Sequence, residues 1–399
     1  MSSVVSEYKQ KTVVQPGQWL GVVGGGQLGR MFCHAAQRLG YHVAVLDPDI
    51  NSPTGQVADR HFCAAYDDVD ALGQMADLCA AITTEFENVP ATTLQQLARR
   101  TTVAPAAAAV EITQDRAREK RFLQGAGIAV VPFHEVLTAA DIEQAADGLF
   151  PGILKTARLG YDGKGQVRVG NRSQARQAFE ELGAVPCVLE AQLDLQAEIS
   201  VVLGRDQAGQ SICFDPSLNV HRDGILALSM VAGEAQLAEH VAPQLLAQAR
   251  KSAEAIAQAA DYVGVLCVEF FVLGDGQLLA NEIAPRPHNS GHHTIEACLC
   301  SQFEQQVRAL AGQPLGATTL VQPAVMVNIL GDCWFRQGET AVTPDWSGVL
   351  AVPGVALHLY GKAEARRGRK MGHLTAVGTT LAEAQQRATK AARLLGIED

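Results

Sequence analysis

Nowhere along its 399 residues does the chain carry the roughly 18 uninterrupted apolar residues that a membrane helix needs. Its first 17 residues are polar and lack the apolar centre of an export signal. Both absences lead us to expect a cytoplasmic protein with residues 1–17 as a flexible extension. Positive charge is also in deficit. With 32 Lys and Arg against 42 Asp and Glu, the net charge of −10 argues against nucleic acid or an anionic membrane as partner. The nine cysteines include no Cys-x-x-Cys pair of the kind that holds zinc, so they read as reduced thiols. Cys298 and Cys300 alone are a weak metal signal. Aromatic residues make up only 5%, which speaks against an all-β fold.

What is present is a chain 47% hydrophobic and rich in alanine, long enough for two or three domains of helices packed on sheets. An apolar strand from Trp19 to Val23 runs into a glycine loop, a helix from Gln27 to Leu39 and a second strand, Val43 to Leu46. Another strand at Ala81 to Thr84 and a helix after Pro90 continue this β-α-β alternation to about residue 112, as in an open parallel sheet. Helical pattern from Thr113 to Gln124 precedes short strands at 153–155, 167–169 and 187–190, with a helix near Ser173 to Glu181. A helix from about Leu237 to Ala260 leads into a hairpin, and Thr294 to Ala311 is helical again. Beyond Gly316 the chain turns to short β-like runs at 324–330, 349–352 and 356–360, then a last helix, Leu381 to Leu395. The predicted class is α/β followed by α+β.

The hairpin carries the most informative chemistry. Asp275-Gly276 between apolar runs predicts a two-residue turn, which would set Glu269 directly opposite Glu282. Cross-strand partners have Cβ atoms roughly 4.5–5.5 Å apart, so two carboxylates there repel unless a cation lies between them. A hard divalent ion, Mg²⁺ or Mn²⁺, bound with a nucleotide meets that need; a solvent-facing pair or a shifted register is the plainer alternative.

Two glycine loops could address phosphate. Gly24-Gly-Gly-Gln-Leu-Gly29 satisfies G-x-G-x-x-G between a strand and a helix, and Asp47 ends the next strand where a ribose-binding acid would stand. A dinucleotide, another phosphorylated ligand and a structural turn all remain open readings of this loop. The second runs Lys155-Thr-Ala-Arg-Leu-Gly160-Tyr161-Asp162-Gly163-Lys164-Gly165-Gln166, with glycines to bend the backbone and lysines to supply charge; a solvated surface hairpin is its alternative. Glu190 and Glu198 stand at strand ends, as residues facing a ribose and an adenine would, or as ordinary exposed charges. After Glu282 comes Ile-Ala-Pro-Arg286-Pro-His288-Asn289-Ser290-Gly-His-His293, where prolines stiffen a loop bearing Arg286, suited to a carboxylate or bicarbonate, and His288, able to donate a hydrogen bond or carry a proton. Its three histidines suggest zinc less well, since no fourth ligand is spaced for it. Near the end, Lys362, Arg369 and Lys370 belong to a basic loop, either a site for a small phosphate or a solvated surface.

Taken together, these segments resemble the ATP-grasp family and, within it, the N5-carboxyaminoimidazole ribonucleotide synthetases of purine biosynthesis. The resemblance runs from about Leu20 to Leu374 through Gly24 to Met31, Asp47-Pro48, Glu85-Phe-Glu-Asn-Val-Pro90, Gln114-Asp-Arg116, the Lys155 loop, Asn219 to Leu226, Val268 to Phe271, Asn281 to His293 and Gly368 to His373. Arg367 departs from it, standing where the family suggests proline.

The resemblance implies ATP-grasp architecture: a Rossmann-like pre-ATP-grasp domain at 18–112, an ATP-grasp domain at 113–318 with a lid at about 150–205, and a small β-rich domain at 319–399. It implies a homodimer that carboxylates 5-aminoimidazole ribonucleotide with bicarbonate and ATP through carboxyphosphate, in the route to IMP. By the same resemblance Arg116, Lys155, the loop from Gly160 to Gln166, Glu190, Glu198, His221, Asn281 and Glu282 serve ATP. Glu269 and Glu282 hold the metal, Arg286 and His288 handle bicarbonate, and Gly26, Gln27, Leu28, Glu85, Asn289, Ser290, Lys362, Arg369 and Lys370 receive the ribonucleotide. The alternatives are a formate-dependent glycinamide ribonucleotide transformylase, which would share the hairpin and lysine loop, an NAD-dependent reductase resting on Gly24–Gly29 and Asp47 alone, and a non-catalytic ATP-binding regulator.

Overall fold

A computed structural model describes residues 13–160, 164–336 and 338–397. Among these residues the strands form three sheets. The first is parallel, in the order Arg60–Phe62, His42–Leu46, Trp19–Val23, Ala81–Thr84 and Thr102–Val103. Its central strands are apolar on both faces because helices cover both; Leu20, Val22, Val43 and Val45 pack into one core, Val23, Ala44, Leu46 and Ile82 into another.

The second sheet has nine strands and supplies the framework. It runs Leu278–Ala284, Gly264–Leu273, Leu195–Arg205, Ser217–Arg222, Ile225–Val231, Ala324–Leu330, Lys370–Val377 and Val355–Leu359, with Ser211–Cys213 paired to Leu195–Arg205. The strands from 324 onward therefore continue this sheet, joined through Leu228 opposite Val327, and do not build a sheet of their own. Helix Pro243–Ala259 covers it with an apolar stripe of Leu245, Leu246, Ala249, Ala253 and Ile256. The third sheet is a small antiparallel one, Phe133–Val136, Cys187–Ala191, Gly152–Thr156 and Gln166–Val169, with helix Arg172–Glu181 packed on its own core of Leu154, Ala175, Phe179 and Leu189. Of the segment 150–205 read as a lid, this unit takes the part up to Ala191. Leu195–Arg205 belongs to the nine-stranded sheet beside Gly264–Leu273.

Several local expectations are corrected, each by a cap or a turn. The helical run from Thr113 breaks at Asp115, whose side chain accepts from Ala117 and Arg118 N–H at 3.1 Å each and starts a new helix, Arg116–Gly125. The long helix begins at Pro243 and not at Leu237, because proline suits the first turn, where its missing N–H costs nothing. The run from Thr294 stops at Ala297 and restarts as Gln302–Leu310, capped by Ser301 accepting from Glu304 N–H. Residues 349–352 are no strand. Trp346–Leu350 is a short helix capped by Asp345, and Val349 and Val352 are buried at a helical spacing.

Part of the N-terminal extension is also fixed. Val14 is buried, donates its N–H to the Ala311 carbonyl and accepts at its own carbonyl from the Tyr41 hydroxyl; residues 1–12 lie outside the described residues. All nine cysteines are free thiols. Among the described residues, no helix is long and apolar enough to cross a membrane.

Candidate active site

The three sheets meet at a cleft of about 770 Å³. On one wall Glu269 and Glu282 lie opposite each other, as the sequence predicts, but the turn that brings them there differs. Leu273 N–H donates to the Gln277 carbonyl, closing a three-residue loop of Gly274, Asp275 and Gly276, and Gly276 takes the positive φ of +83° that such a loop requires. This pairs Phe270 with Ala280. A bulge at Asn281 then restores the register, so that Glu269 meets Glu282 and Val268 meets Ile283.

Glu269 is buried, and that burial, with the charge of Glu282 opposite, pushes its carboxyl up to about 7. Glu119 is pushed up to about 8 by burial and then by Glu282, although one of its oxygens accepts from Ile283 N–H at 2.5 Å. Two opposed carboxylates, with the charge of one pushing up the other, fit a hard divalent cation. Glu269, Glu282 and the amide oxygen of Asn281, all at the cleft, are oxygen donors of the right type. The histidines do not converge on a metal. His288 meets Ser290 and Glu269, His292 meets Gln302 through Nδ1, and His293 Nδ1 meets the Ser290 carbonyl.

Two cations, Arg116 and Lys155, line the same cleft, and a third, Lys120, is buried behind it. Arg116 pairs with Glu282 at 3.2 Å and donates to the Gly160 carbonyl at 3.3 Å. Lys155 and Lys120 grip the two oxygens of Glu190 at 2.7 and 3.0 Å. Burial opposes charge on Glu190, but the two ammonium groups outweigh it and hold the carboxyl down at about 2. Glu190 thus organises the lysines from within the protein. Lys120 escaped sequence reading, although its place on the same helical face as Ala117 and Leu123, an apolar face, is a signal that a lysine there is held by a partner. Gly160 and Gln166 line the cleft, while Tyr161, Asp162 and Gly163 lie outside the described residues. His221 Nδ1 lies 2.6 Å from a Glu198 carboxylate oxygen, an ion pair when the ring is protonated, and both residues line the same cleft.

The first glycine loop is not an empty phosphate cradle. Glu85 accepts from Gly26 N–H at 2.8 Å and Gly29 N–H at 3.1 Å, and Asp47 accepts from Gly25 N–H at 2.7 Å. Asp47 also accepts from the Tyr66 hydroxyl at 2.6 Å, so it braces the loop and is not a ribose-binding acid. A Cβ at Gly26 would lie 2.4 Å from Glu85 Oε1, which explains glycine at that position by close approach alone. Gln27, Leu28 and Glu85 nevertheless line the cleft. The dinucleotide reading loses the amides on which it rested.

Arg286 and His288 enter from the proline-stiffened loop. Arg286 donates from Nε to Glu87 at 2.6 Å, a partner that sequence reading quoted in a motif without giving it a role. His288 Nε2 lies 3.4 Å from Glu269, and burial, with Arg286 nearby, lowers its pKa well below the ordinary value. Asn289 lines the cleft and donates to Asn328 at 2.9 Å. Ser290 is fully buried behind the loop and reaches His288, not the cleft. Of the basic residues near the C-terminus, Lys370 lines the cleft. Lys362 donates to the Lys370 carbonyl at 2.7 Å and Arg369 to the Glu364 carbonyl at 2.9 Å, and neither lines the cleft.

Comparison with known proteins agrees with this layout. The profile of the ATP-grasp domain matches residues 121–303, that of the ribonucleotide synthetase preATP-grasp domain residues 18–114, and that of the phosphoribosylaminoimidazole carboxylase C-terminal domain residues 324–387. The chain is 46% identical over 370 residues to N5-carboxyaminoimidazole ribonucleotide synthase of Brucella melitensis, covering 92% of this chain and 98% of that one. Among solved structures it is similar to an ADP complex of N5-carboxyaminoimidazole ribonucleotide synthetase, with 38% identity, a TM-score of 0.87 and coverage of 95% and 97%. It is also similar to the enzyme of Aspergillus clavatus in complex with ADP and 5-aminoimidazole ribonucleotide, at 30% identity, a TM-score of 0.84 and coverage of 95% and 98%.

Proposed function

Because the chain belongs to the N5-carboxyaminoimidazole ribonucleotide synthetases of the ATP-grasp superfamily, we infer that it carboxylates 5-aminoimidazole ribonucleotide at the expense of ATP, in purine biosynthesis. The observation that carries the reading at the level of residues is the cleft itself. Two opposed carboxylates, the cations Arg116 and Lys155 and the Arg286–His288 loop all line it.

Bicarbonate is a poor electrophile, and on our reading it is activated by phosphorylation. A bicarbonate oxygen attacks the γ-phosphorus of ATP, the bond to the bridging oxygen of ADP breaks, and carboxyphosphate forms. The amine of 5-aminoimidazole ribonucleotide then takes the carbon, either from carboxyphosphate or from the CO₂ it releases. Phosphate leaves with the amine's proton. Lys155 and Arg116, which line the cleft, supply the positive charge that the phosphoryl oxygens need, with Glu190 holding Lys155 and the buried Lys120 behind it. Mg²⁺ or Mn²⁺, held by Glu269 and Glu282 with Asn281 beside them, would neutralise phosphate charge when bound. Arg286, whose Nε and Nη2 are held by Glu87, offers its remaining N–H groups and its charge to bicarbonate, and His288 offers a hydrogen bond beside it. Glu198 and His221 serve the nucleoside part of ATP, while Gln27, Leu28, Glu85, Asn289 and Lys370 receive the ribonucleotide. The small sheet unit carrying Lys155 acts as a lid that keeps water from the intermediate. We also place the protein in the cytoplasm as a homodimer, on the strength of the family resemblance and its free thiols.

Steady-state ADP release in CO₂-depleted buffer tests this reading, with 5-aminoimidazole ribonucleotide and bicarbonate added to Mg-ATP separately and then together. Release that requires both supports it. Release with formate and glycinamide ribonucleotide instead would assign the transformylase, and no release with either pair would overturn the catalytic assignment.

A further inference from the structure

Behind His288 lies a chain of buried polar side chains that the reaction as described does not use. Ser290 Oγ is 2.9 Å from His288 Nδ1 and 2.7 Å from Ser200 Oγ, Asn219 Nδ2 is 3.0 Å from Ser200 Oγ, and Ser229 Oγ is 2.8 Å from Asn219 Oδ1. Ser200, Asn219 and Ser229 come from three neighbouring strands of the large sheet, and Ser290 from the turn after Arg286. All four are buried. Polar groups so placed persist only when their bonds are satisfied, so the network is a constructed feature and not a residue of packing.

Its direction can be worked out. A serine hydroxyl has one proton, and each link in the chain uses it once. If the Asn219 amide donates to Ser200, then Ser200 donates to Ser290 and Ser290 donates to His288 Nδ1. Reversing every link, with the amide turned over, would satisfy the hydroxyls equally well. The main chain breaks the tie. Ser290 N–H also points at His288 Nδ1, at 3.3 Å, and a peptide N–H can only donate. Nδ1 therefore carries the lone pair, and the ring proton sits on Nε2, on the side of the cleft and 3.4 Å from Glu269.

We propose that Ser290, backed by Ser200, Asn219 and Ser229, is a positioning residue that locks His288 in the Nε2–H tautomer, so that this imidazole meets the cleft as a hydrogen-bond donor and not as a base. The proposal concerns the site assigned above and rests on that reading for its kinetic consequence, though not for the tautomer. In the carboxylation, a fixed Nε2–H is suited to an oxygen of bicarbonate or of carboxyphosphate, whose charge it stabilises without taking a proton.

Histidine-selective ¹⁵N spectroscopy on the full chain tests the tautomer directly, with His288→Gln identifying the signal. Protonated Nε2 and unprotonated Nδ1 are expected; a proton on Nδ1, or averaging of the two forms, would overturn the proposal. Ser290→Ala should lower kcat about 10–100-fold, the usual scale for a residue that orients a ligand or catalytic group, and leave KM for ATP within about threefold. In the His288→Gln background the same substitution should change kcat by less than about threefold, because its effect passes through the imidazole. An equal loss in both backgrounds would show a merely structural role and sink the idea, as would full activity of Ser290→Ala. Ser200→Ala, one link further away, repeats the test should Ser290→Ala fail to fold. If the wild-type chain does not carboxylate the ribonucleotide, the functional reading falls while the spectrum still decides the tautomer.

Discussion

Glu269 and Glu282 face each other because two irregularities cancel: the three-residue loop at Gly274–Gly276 shifts the ladder by one residue and the bulge at Asn281 shifts it back. The pair is costly without a counter-ion. Burial and then Glu282 raise the Glu269 carboxyl from 4.5 to about 7, so the folded chain binds more protons than the unfolded one between those values. The contribution of Glu269 to stability is therefore present at low pH and declines as pH rises through that window.

Glu282→Gln removes the repulsion and also the ion pair with Arg116 at 3.2 Å. At pH 7.5 without divalent ions the two effects oppose each other and the variant should melt within about 1–2 °C of wild type, since each is worth up to about 1 kcal/mol. Mg²⁺ should stabilise wild type, more at pH 8 than at pH 6 because the ion competes with the proton, and should do little for the variant. ADP release by the variant should be lost. Calorimetry at two pH values with and without Mg²⁺ checks this, and an active variant with an undiminished response to Mg²⁺ would refute the metal role.

Glu190 has the opposite linkage. Held down at about 2 by Lys155 and Lys120 against the effect of burial, it contributes stability that is present above its ordinary value of 4.5 and lost as pH falls toward 2. That contribution is on the order of 3 kcal/mol. In acid unfolding, Glu190→Gln should begin less stable at pH 6 and lose less between pH 4.5 and 2 than wild type does. Parallel acid curves for the two proteins would contradict the ion triad. The variant should also need about 10-fold more ATP or worse, because the lysines lose their anchor.

Arg286 donates from Nε to Glu87 at 2.6 Å. Arg286→Ala should lower carboxylation at least about 100-fold while ATP affinity, measured by calorimetric titration, stays within about threefold. Glu87→Ala should cost about 1–3 kcal/mol in urea unfolding, since it leaves a partly buried guanidinium without its carboxylate. Normal coupled turnover by Arg286→Ala would remove that residue from the chemistry.

Asp47 accepts from Gly25 N–H and the Tyr66 hydroxyl, so its work is structural. Asp47→Ala should destabilise the chain by about 1–3 kcal/mol, the cost of leaving those donors unpaired. NADH should bind neither protein, as fluorescence titration would show. Saturable NADH binding that the substitution abolishes would restore the dinucleotide reading.

The parts of this account that were legible in the sequence are those set by local pattern. Strands such as Trp19–Val23 and Ala81–Thr84 announce themselves by short apolar runs, and the glutamate pair by its distance from a turn. The spacing predicts the right pairing through a turn one residue too short, because a bulge filled by an asparagine leaves no mark in the residue types. Asp115 and Ser301 are visible caps, but the apolar rhythm continues across them and hides the helix breaks. What stayed hidden depends on contacts far apart in the chain. Glu85 fills the glycine-loop amides across 59 residues, Lys120 finds Glu190 from another element, and Ser200 reaches Ser290 across 90 residues. The family resemblance supplied the roles that pattern alone left open at Gly24–Gly29 and in the basic loop. It also implies a place at the substrate for Ser290, Lys362 and Arg369, whose hydrogen bonds within the protein no local pattern foretells.

The central claim is that this cleft activates bicarbonate by phosphorylating it. The direct measurement is a single turnover with ¹⁸O-bicarbonate, Mg-ATP and 5-aminoimidazole ribonucleotide, followed by mass analysis of the phosphate released. The account predicts one ¹⁸O transferred from bicarbonate to each phosphate. Phosphate free of label, with oxygen drawn only from ATP and water, would contradict it.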